Sequence, residues 1–98
     1  MRIATGSYKG DGKASRTVRT GLLARAKHLR VVNAADGREA WKTDTMTGNE
    51  FYGGGAAAPP GVGRGLSLAG PDFVVGAPPT SGLNLNAEGV TYHWVATA

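Results

Sequence analysis

The stretch "GVTYHWVATA", residues 89–98, decides how this chain folds, because large apolar and polar side chains alternate along it. Successive side chains of a β-strand point to opposite faces, so Tyr92 and Trp94 share one face while His93 lies on the other. We therefore expect a closing strand whose two rings face the core. Burying each ring contributes about 2–3 kcal/mol, a large part of the stability of so short a chain. Two alternatives stay open: a stripe that binds a planar ligand such as a sugar, and a catalytic His93.

Length and composition indicate one small domain, residues 1–98. The 16 glycines and 5 prolines favour turns and short extended segments, and the absence of cysteine rules out disulfides and thiolate-bound zinc. The first ten residues lack the apolar run of a signal peptide, and no stretch is as long as a membrane span. We expect no membrane association.

Hairpin signals extend this pattern toward the N-terminus. Residues 2–21 predict strand, turn and strand, with the turn at "GDGK" (10–13). Residues 22–27 are interpreted as a connecting segment. Residues 28–34 are predicted to pair with 38–43 across the Asp36–Gly37 turn.

The middle of the chain changes character between residues 45 and 65, where glycine and proline dominate, and a long flexible loop is expected there. Two short strands broken at Gly70–Pro71 follow, with Phe73 and Val75 in phase as core residues. A turn at "NAEG" precedes the closing strand. Six to eight short strands without an assured helix predict an all-β fold, a small antiparallel β-sandwich or jelly-roll-like barrel.

Positive charge is concentrated at the start of the chain. Residues 1–30 hold eight basic side chains against one acidic side chain. Such asymmetry indicates an acidic partner, either nucleic acid or protein, although lysine and arginine on edge strands also deter aggregation. Nucleic acid is the weaker alternative, because Tyr8 is the only aromatic residue among these charges. The candidate contacts are Arg16, Arg19, Arg25 and Arg30.

The segment "DTMTGNEFYGGG" (44–55) sets three apolar side chains, Met46, Phe51 and Tyr52, among glycines. The segment could fold back to complete the core. It could also reach a neighbouring subunit, because an exposed aromatic side chain often anchors a protein contact. Met46, Phe51 and Tyr52 are therefore candidate interface residues.

Catalytic and metal-binding patterns are weak. His28 and His93 are the only histidines, no "GxSxG" occurs, and no helix signal follows "GVGRG" at residues 61–65. One aspartate in "GDG" is too few for a calcium site. We expect no catalytic residue, no metal and no cofactor, and we expect that the chain is not an enzyme.

Three segments, taken in order, resemble a small β domain that recurs in structural proteins of tailed bacteriophages. They are "ATGSYKGDGKASRTVRTGL" (4–22), "AWKTDTMTGNE" (40–50) and "GPDFVVGAPPTSGLNLNAEGVTYHWVATA" (70–98), and the last ends on the Y-x-W-V-A strand. The resemblance implies an all-β virion module, found in tail-fibre-like chains and as a stand-alone piece.

From this resemblance, the small size and the charge asymmetry we expect a capsid decoration (cement) protein. Its partners would be the major capsid protein and copies of itself, as trimers, and it would lie on the capsid exterior after synthesis in the host cytoplasm. The alternative is a tail-fibre-associated or carbohydrate-binding receptor module that uses Trp41, Tyr52 or Trp94 as a stacking platform. A nucleic-acid-binding protein is the third possibility.

Overall fold

The computed structural model describes residues 2–13, 15–35, 37–46, 48, 50–55, 58–75 and 84–98. Within these ranges the chain forms nine strands and no helix that is long and apolar enough to cross a membrane. The strands are β1 (Ile3–Lys9), β2 (Arg16–Val18), β3 (His28–Asn33), β4 (Glu39–Thr43), β5 (Glu50–Gly55), β6 (Ala58–Arg64), β7 (Leu66–Ala69), β8 (Asp72–Val75) and β9 (Thr91–Thr97).

The strands form two antiparallel sheets, and the all-β prediction is confirmed. The large sheet has the order β1-β9-β3-β4-β5-β6, and the small sheet has the order β2-β8-β7. Aromatic contacts join the two sheets: the ring of Phe73 on β8 meets the ring of Trp94 on β9 at 5.6 Å between centroids and that of Tyr8 on β1 at 6.1 Å. The architecture is that of a small β-sandwich.

The closing strand β9 lies inside the large sheet, paired with β1 on one side and β3 on the other. Its burial alternates strictly, with Tyr92, Trp94 and Ala96 inward, as its sequence pattern predicts. Phe73 and Val75 are also buried. Because β9 is hydrogen-bonded on both sides and contributes two of the largest core rings, it connects the two ends of the chain to one core.

The local hairpin predicted around Asp36–Gly37 is confirmed. Strand β3 pairs with β4, with Val32 opposite Glu39, and Gly37 in the turn between them has a φ of 75° that favours glycine. The two short strands expected on either side of Gly70–Pro71 also form, as β7 and β8, and the structure shows that they pair with each other. Asp36 of the first turn lies outside the described residues.

The hairpin expected within residues 2–21 is wrong. Strand β1 pairs with β9, whereas β2 pairs with β8 in the other sheet, so the "GDG" segment connects the two sheets. Its glycines serve packing: a Cβ on Gly10 would lie 2.1 Å from the Ala87 carbonyl oxygen. The Gly12 amide donates to the Asn86 carbonyl at 2.9 Å. This segment therefore packs against the loop before β9 and does not turn β1 back on itself.

The prediction of a long loop at residues 45–65 is also wrong over most of that range. Strands β5 and β6 lie within it and form a further antiparallel pair. Strands are recognised in a sequence by alternating apolar and polar side chains, which glycine cannot provide. The glycine backbone can nevertheless form the hydrogen bonds of a strand. The prolines at 59 and 60 are tolerated because β6 is an edge strand and the register shifts between Gly53 and Gly55.

Candidate functional site

The outer face of the large sheet, turned away from the small sheet, carries an uninterrupted line of side chains across four strands. The cross-strand register places Val95 beside Arg30, Arg30 beside Trp41, and Trp41 beside Tyr52. We call these four residues the outer row. Since neighbouring strands are about 4.8 Å apart, the outer row extends about 14 Å across the sheet.

The aromatic end of the outer row is a pair of stacked rings. The centroids of Trp41 and Tyr52 are 5.4 Å apart, with an angle of 29° between the ring planes. Trp41 is 37% exposed, Tyr52 is 45% exposed and Val95 at the opposite end is 39% exposed. Soluble domains keep few such rings in water, and neighbouring ones indicate a binding surface.

Charged and polar side chains border the outer row. Arg30 lies within it and is exposed, while Glu39 and Glu50 are exposed on the same face. His93 lies two residues before Val95 on β9, is exposed, and faces Val32 across the strands. His28 is half-buried and faces Thr97. The two histidines thus lie in different cross-strand rows on either side of the Val95–Arg30 pair. Within the described ranges no three His, Cys, Asp or Glu side chains lie close enough to hold a metal ion.

The four arginines predicted to contact an acidic partner lie on different elements of the fold. Only Arg30 belongs to the outer row. Arg16 is half-buried, lies 5.5 Å from the centroid of the Tyr8 ring, and donates a hydrogen bond to the Lys9 carbonyl. Arg19 and Arg25 are exposed on the connection between β2 and β3. Arg16 therefore contacts the domain's own edge, and of the four arginines only Arg30 extends from the outer face of the large sheet beside Trp41.

The three apolar residues of the 44–55 segment differ in how far they are buried. Phe51 is fully buried in the core, so its assignment as an interface residue is wrong. Tyr52, one residue on, points to the opposite face and belongs to the outer row. Met46 is half-buried in the turn before β5. The strand pairing of β5, which local sequence does not reveal, decides which of the two rings is exposed.

Lys42 is a buried cation that sequence reasoning missed. Its side chain is only 1% exposed, on the inner face of β4, and its Nζ donates to the carbonyl oxygens of Gly48 (3.1 Å) and Glu50 (2.7 Å). Burial lowers the pKa of this ammonium group. Lys42 thus ties the turn between β4 and β5, and the first residue of β5, to the inner face of β4.

A second polar cluster joins the "GDG" segment to the loop before β9. Asn86 is fully buried, and its Nδ2 donates to Asp11 Oδ1 (2.7 Å) and to the Lys13 carbonyl (3.0 Å), while its Oδ1 accepts from the Asp11 amide (3.2 Å). Hydrogen bonds from the Lys13 amide and the Asn86 side chain lower the pKa of Asp11. This cluster, which we call the Asn86 clasp, uses its polar groups within the fold.

Two buried tyrosines strengthen the same loop. The Tyr8 hydroxyl donates to the Leu85 carbonyl (2.8 Å), and the Tyr92 hydroxyl donates to the Asn84 carbonyl (3.0 Å) and accepts from the Ala87 amide (3.0 Å). Their rings stack at 5.1 Å. Burial, reinforced by the neighbouring Tyr92, raises the pKa of Tyr8. The residues that carried the resemblance at the two ends of the chain are thus mainly residues that build the fold.

Trp94 belongs to this core, being 5% exposed, so it cannot serve as a stacking platform. Of the three aromatic residues considered for sugar binding, Trp41 and Tyr52 remain. What the outer row offers chemically is an apolar and aromatic contact surface with one cationic donor on a rigid sheet.

Comparisons with protein-family models, with curated proteins and with solved structures give no match. The geometry defines the chain as a small antiparallel β-sandwich with an exposed aromatic row on its larger sheet.

Proposed function

We propose that this chain is a structural protein of a tailed-bacteriophage virion that docks on the outside of the capsid, with the outer row as its contact surface. The observation that carries the proposal is the stacked and exposed Trp41–Tyr52 pair beside Arg30. Aromatic residues and arginine are enriched where protein interfaces gain most of their binding energy.

The position of the outer row supports a protein partner. All four side chains extend from paired strands of one sheet, so little side-chain or loop ordering is needed when a partner binds. A broad face of this kind fits another broad protein surface better than it encloses a small molecule, which binding sites usually bury in a concave pocket.

The resemblance supports the virion assignment through different residues. Its first and last segments meet in the Asn86 clasp, and β9 pairs directly with β1. Segments that are far apart in the chain thus form one structural unit. The middle segment, residues 40–50, contributes Trp41 to the outer row. In this proposal a common β framework carries a surface that is adapted to its own capsid.

The copy number on purified virions tests the proposal. Quantitative mass spectrometry of virions of the phage that encodes the chain should find it in a fixed and high ratio to the major capsid protein, and capsids separated from their tails should retain it. A few copies per particle, or loss of the chain together with the tails, would exclude shell decoration.

A second candidate is a carbohydrate-binding receptor module, and the same exposed ring pair favours it, because a sugar ring could pack on Trp41 or Tyr52. Wild-type chain and a Trp41→Ala variant on a glycan array separate the two functions. A decoration protein should bind no glycan, whereas a receptor module should bind a glycan and lose it on substitution.

A further inference from the structure

Strand β1 forms an edge of the large sheet, and its hydrogen-bonding alternation shows which backbone groups point away from the domain. Arg2 and Ala98 exchange both amide–carbonyl bonds, and the Gly10 amide donates to the Val90 carbonyl. In an antiparallel pair such residues alternate with residues whose groups point outward. Ile3, Thr5, Ser7 and Lys9 therefore direct their N–H and C=O groups away from β9.

The outward carbonyl of Lys9 already has a partner within the domain. The Arg16 guanidinium donates a hydrogen bond to it, so this end of β1 is not available for pairing with another strand. Among the residues that the structure describes, nothing pairs with the segment from Ile3 to Ser7 on this side, and we call it the open edge. None of its residues is charged and none is proline. Ile3 is 62% exposed on the outer face beside it.

The other sheet edges of the described chain are short or protected. Strand β6, at the far edge of the large sheet, contains Pro59 and Pro60, which cannot donate a backbone hydrogen bond. In the small sheet the edge strands β2 and β7 have three and four residues. Natural proteins protect their edges with proline, charge or short strands, and β1 has none of these between its ends.

We propose that the β1 edge pairs with the β1 edge of a second copy of this chain around a two-fold axis at Thr5. In this register Thr5 faces Thr5 of the second copy, Ile3 faces Ser7 of the second copy, and Ser7 faces its Ile3. Each of these three residue pairs exchanges two backbone hydrogen bonds, so the interface contains six. The large sheets of two copies then form one continuous sheet.

Self-complementarity favours a second copy over an unrelated strand. A two-fold antiparallel pairing about Thr5 is the arrangement that uses all three open residues of both partners and places no like charges opposite each other. It also brings two outer rows onto one continuous surface. This proposal concerns self-association alone and does not depend on the proposed function. Its two-fold pairing gives a dimer in place of the trimer expected from the sequence.

Sedimentation equilibrium of the purified full chain over a concentration series tests the pairing. Wild type should show a monomer–dimer equilibrium. Thr5→Pro removes an N–H that bonds to none of the described residues. With it go two of the six hydrogen bonds of the dimer, so the dissociation constant should rise by about 30-fold, equivalent to about 2 kcal/mol. Thr5→Val is the matched control, because it keeps the backbone donor and the β-branched shape, and it should dimerise like wild type.

A charge pair tests the register independently of proline. Ile3→Lys together with Ser7→Glu places opposite charges against each other twice per dimer, so the double variant should dimerise more tightly than either single variant. Near-ultraviolet circular dichroism, which reports the buried aromatic cluster, verifies folding of each variant. A wild-type chain that stays monomeric at the highest concentration, or a dimer that a folded Thr5→Pro variant leaves unchanged, would overturn the proposal.

Discussion

Replacing Gly6 by alanine tests the packing that joins the first strand to the last. Gly6 lies directly opposite Trp94 in the β1–β9 register, and a Cβ at this position would lie 2.6 Å from Trp94 Cζ2 and 2.8 Å from Cε2. The indole is buried and packs edge-on against the Phe73 ring, so it has little room to move. We therefore expect Gly6→Ala to destabilise the fold.

The magnitude follows from two opposing effects. Overpacking a filled core costs about 1–3 kcal/mol. Against this, alanine restricts the unfolded chain and contributes about 0.4–1 kcal/mol where the backbone conformation suits it, and Gly6 is not among the glycines with positive φ. The net loss should be about 1–2 kcal/mol, which is measurable against a total of about 5–15 kcal/mol for a small domain.

Urea unfolding of four proteins measures this effect: wild type, Gly6→Ala, Trp94→Leu and the double variant. Trp94→Leu alone should cost about 2–4 kcal/mol through lost burial. In its background the clash is absent, so Gly6→Ala should turn stabilising by about 0.5 kcal/mol. A Gly6→Ala variant as stable as wild type, or one equally destabilising in both backgrounds, would refute the proposed contact.

Other substitutions examine the two polar clusters and the buried tyrosine. Asn86→Ala should cost about 2–4 kcal/mol in urea unfolding, because three side-chain hydrogen bonds are lost in the core. Asn84→Ala, which removes one side-chain bond to the Asn86 amide, is the control and should cost about 1 kcal/mol; equal losses would contradict the clasp. Lys42→Met should cost about 1–2 kcal/mol at neutral pH, because two carbonyls lose a charged donor. The pKa of Lys42 is lowered on folding, so the unfolded chain holds that proton to higher pH, and the loss should grow as pH rises toward 10.5; a loss that shrinks over this range would contradict the burial of the ammonium. The pKa of Tyr8 is raised on folding, so its contribution is complete below about pH 10 and falls above it. Tyr8→Phe should therefore flatten the alkaline decline of the unfolding free energy measured between pH 9 and 11, and an unchanged slope would show that Tyr8 does not cause it.

Much of the fold could be predicted where the local pattern and the tertiary pairing agree. The closing strand alternates large apolar and polar residues, and the β3–β4 and β7–β8 hairpins join neighbouring segments through glycine-containing turns. In each case the information lies within a dozen or so residues of sequence. The core positions Tyr92, Trp94, Phe73 and Val75 follow from the same alternation.

The errors share one cause, which is pairing between distant segments. "GDG" has the composition of a tight turn, but its partner is Asn86, 75 residues along the chain from Asp11. The glycines of β5 and β6 carry no alternating side chains, so their pairing is invisible to a pattern search. Phe51 and Tyr52 are equally apolar in sequence, and only the register with β4 makes one a core residue and the other a surface residue.

The candidate site could be predicted only in part for the same reason. The sequence singles out Arg30 for its charge and Trp41 and Tyr52 for their aromatic rings, but their meeting in one row depends on the pairing of three strands. Lys42 lies at an inward position of β4, but lysine is usually a surface residue, and its burial depends on the carbonyls of Gly48 in the next turn and Glu50 at the start of β5.

We propose that the outer row is the surface by which this protein binds a virion shell. A binding isotherm on purified tail-free capsids, stripped of any native copies of the chain, tests this most directly. Wild-type protein should bind saturably in a fixed ratio to the major capsid protein, and a Trp41→Ala/Tyr52→Ala double variant should lose most of that affinity. Thr17→Ala, an exposed change on the small sheet, should bind like wild type. Equal binding by all three proteins, or no binding by wild type, would contradict the account.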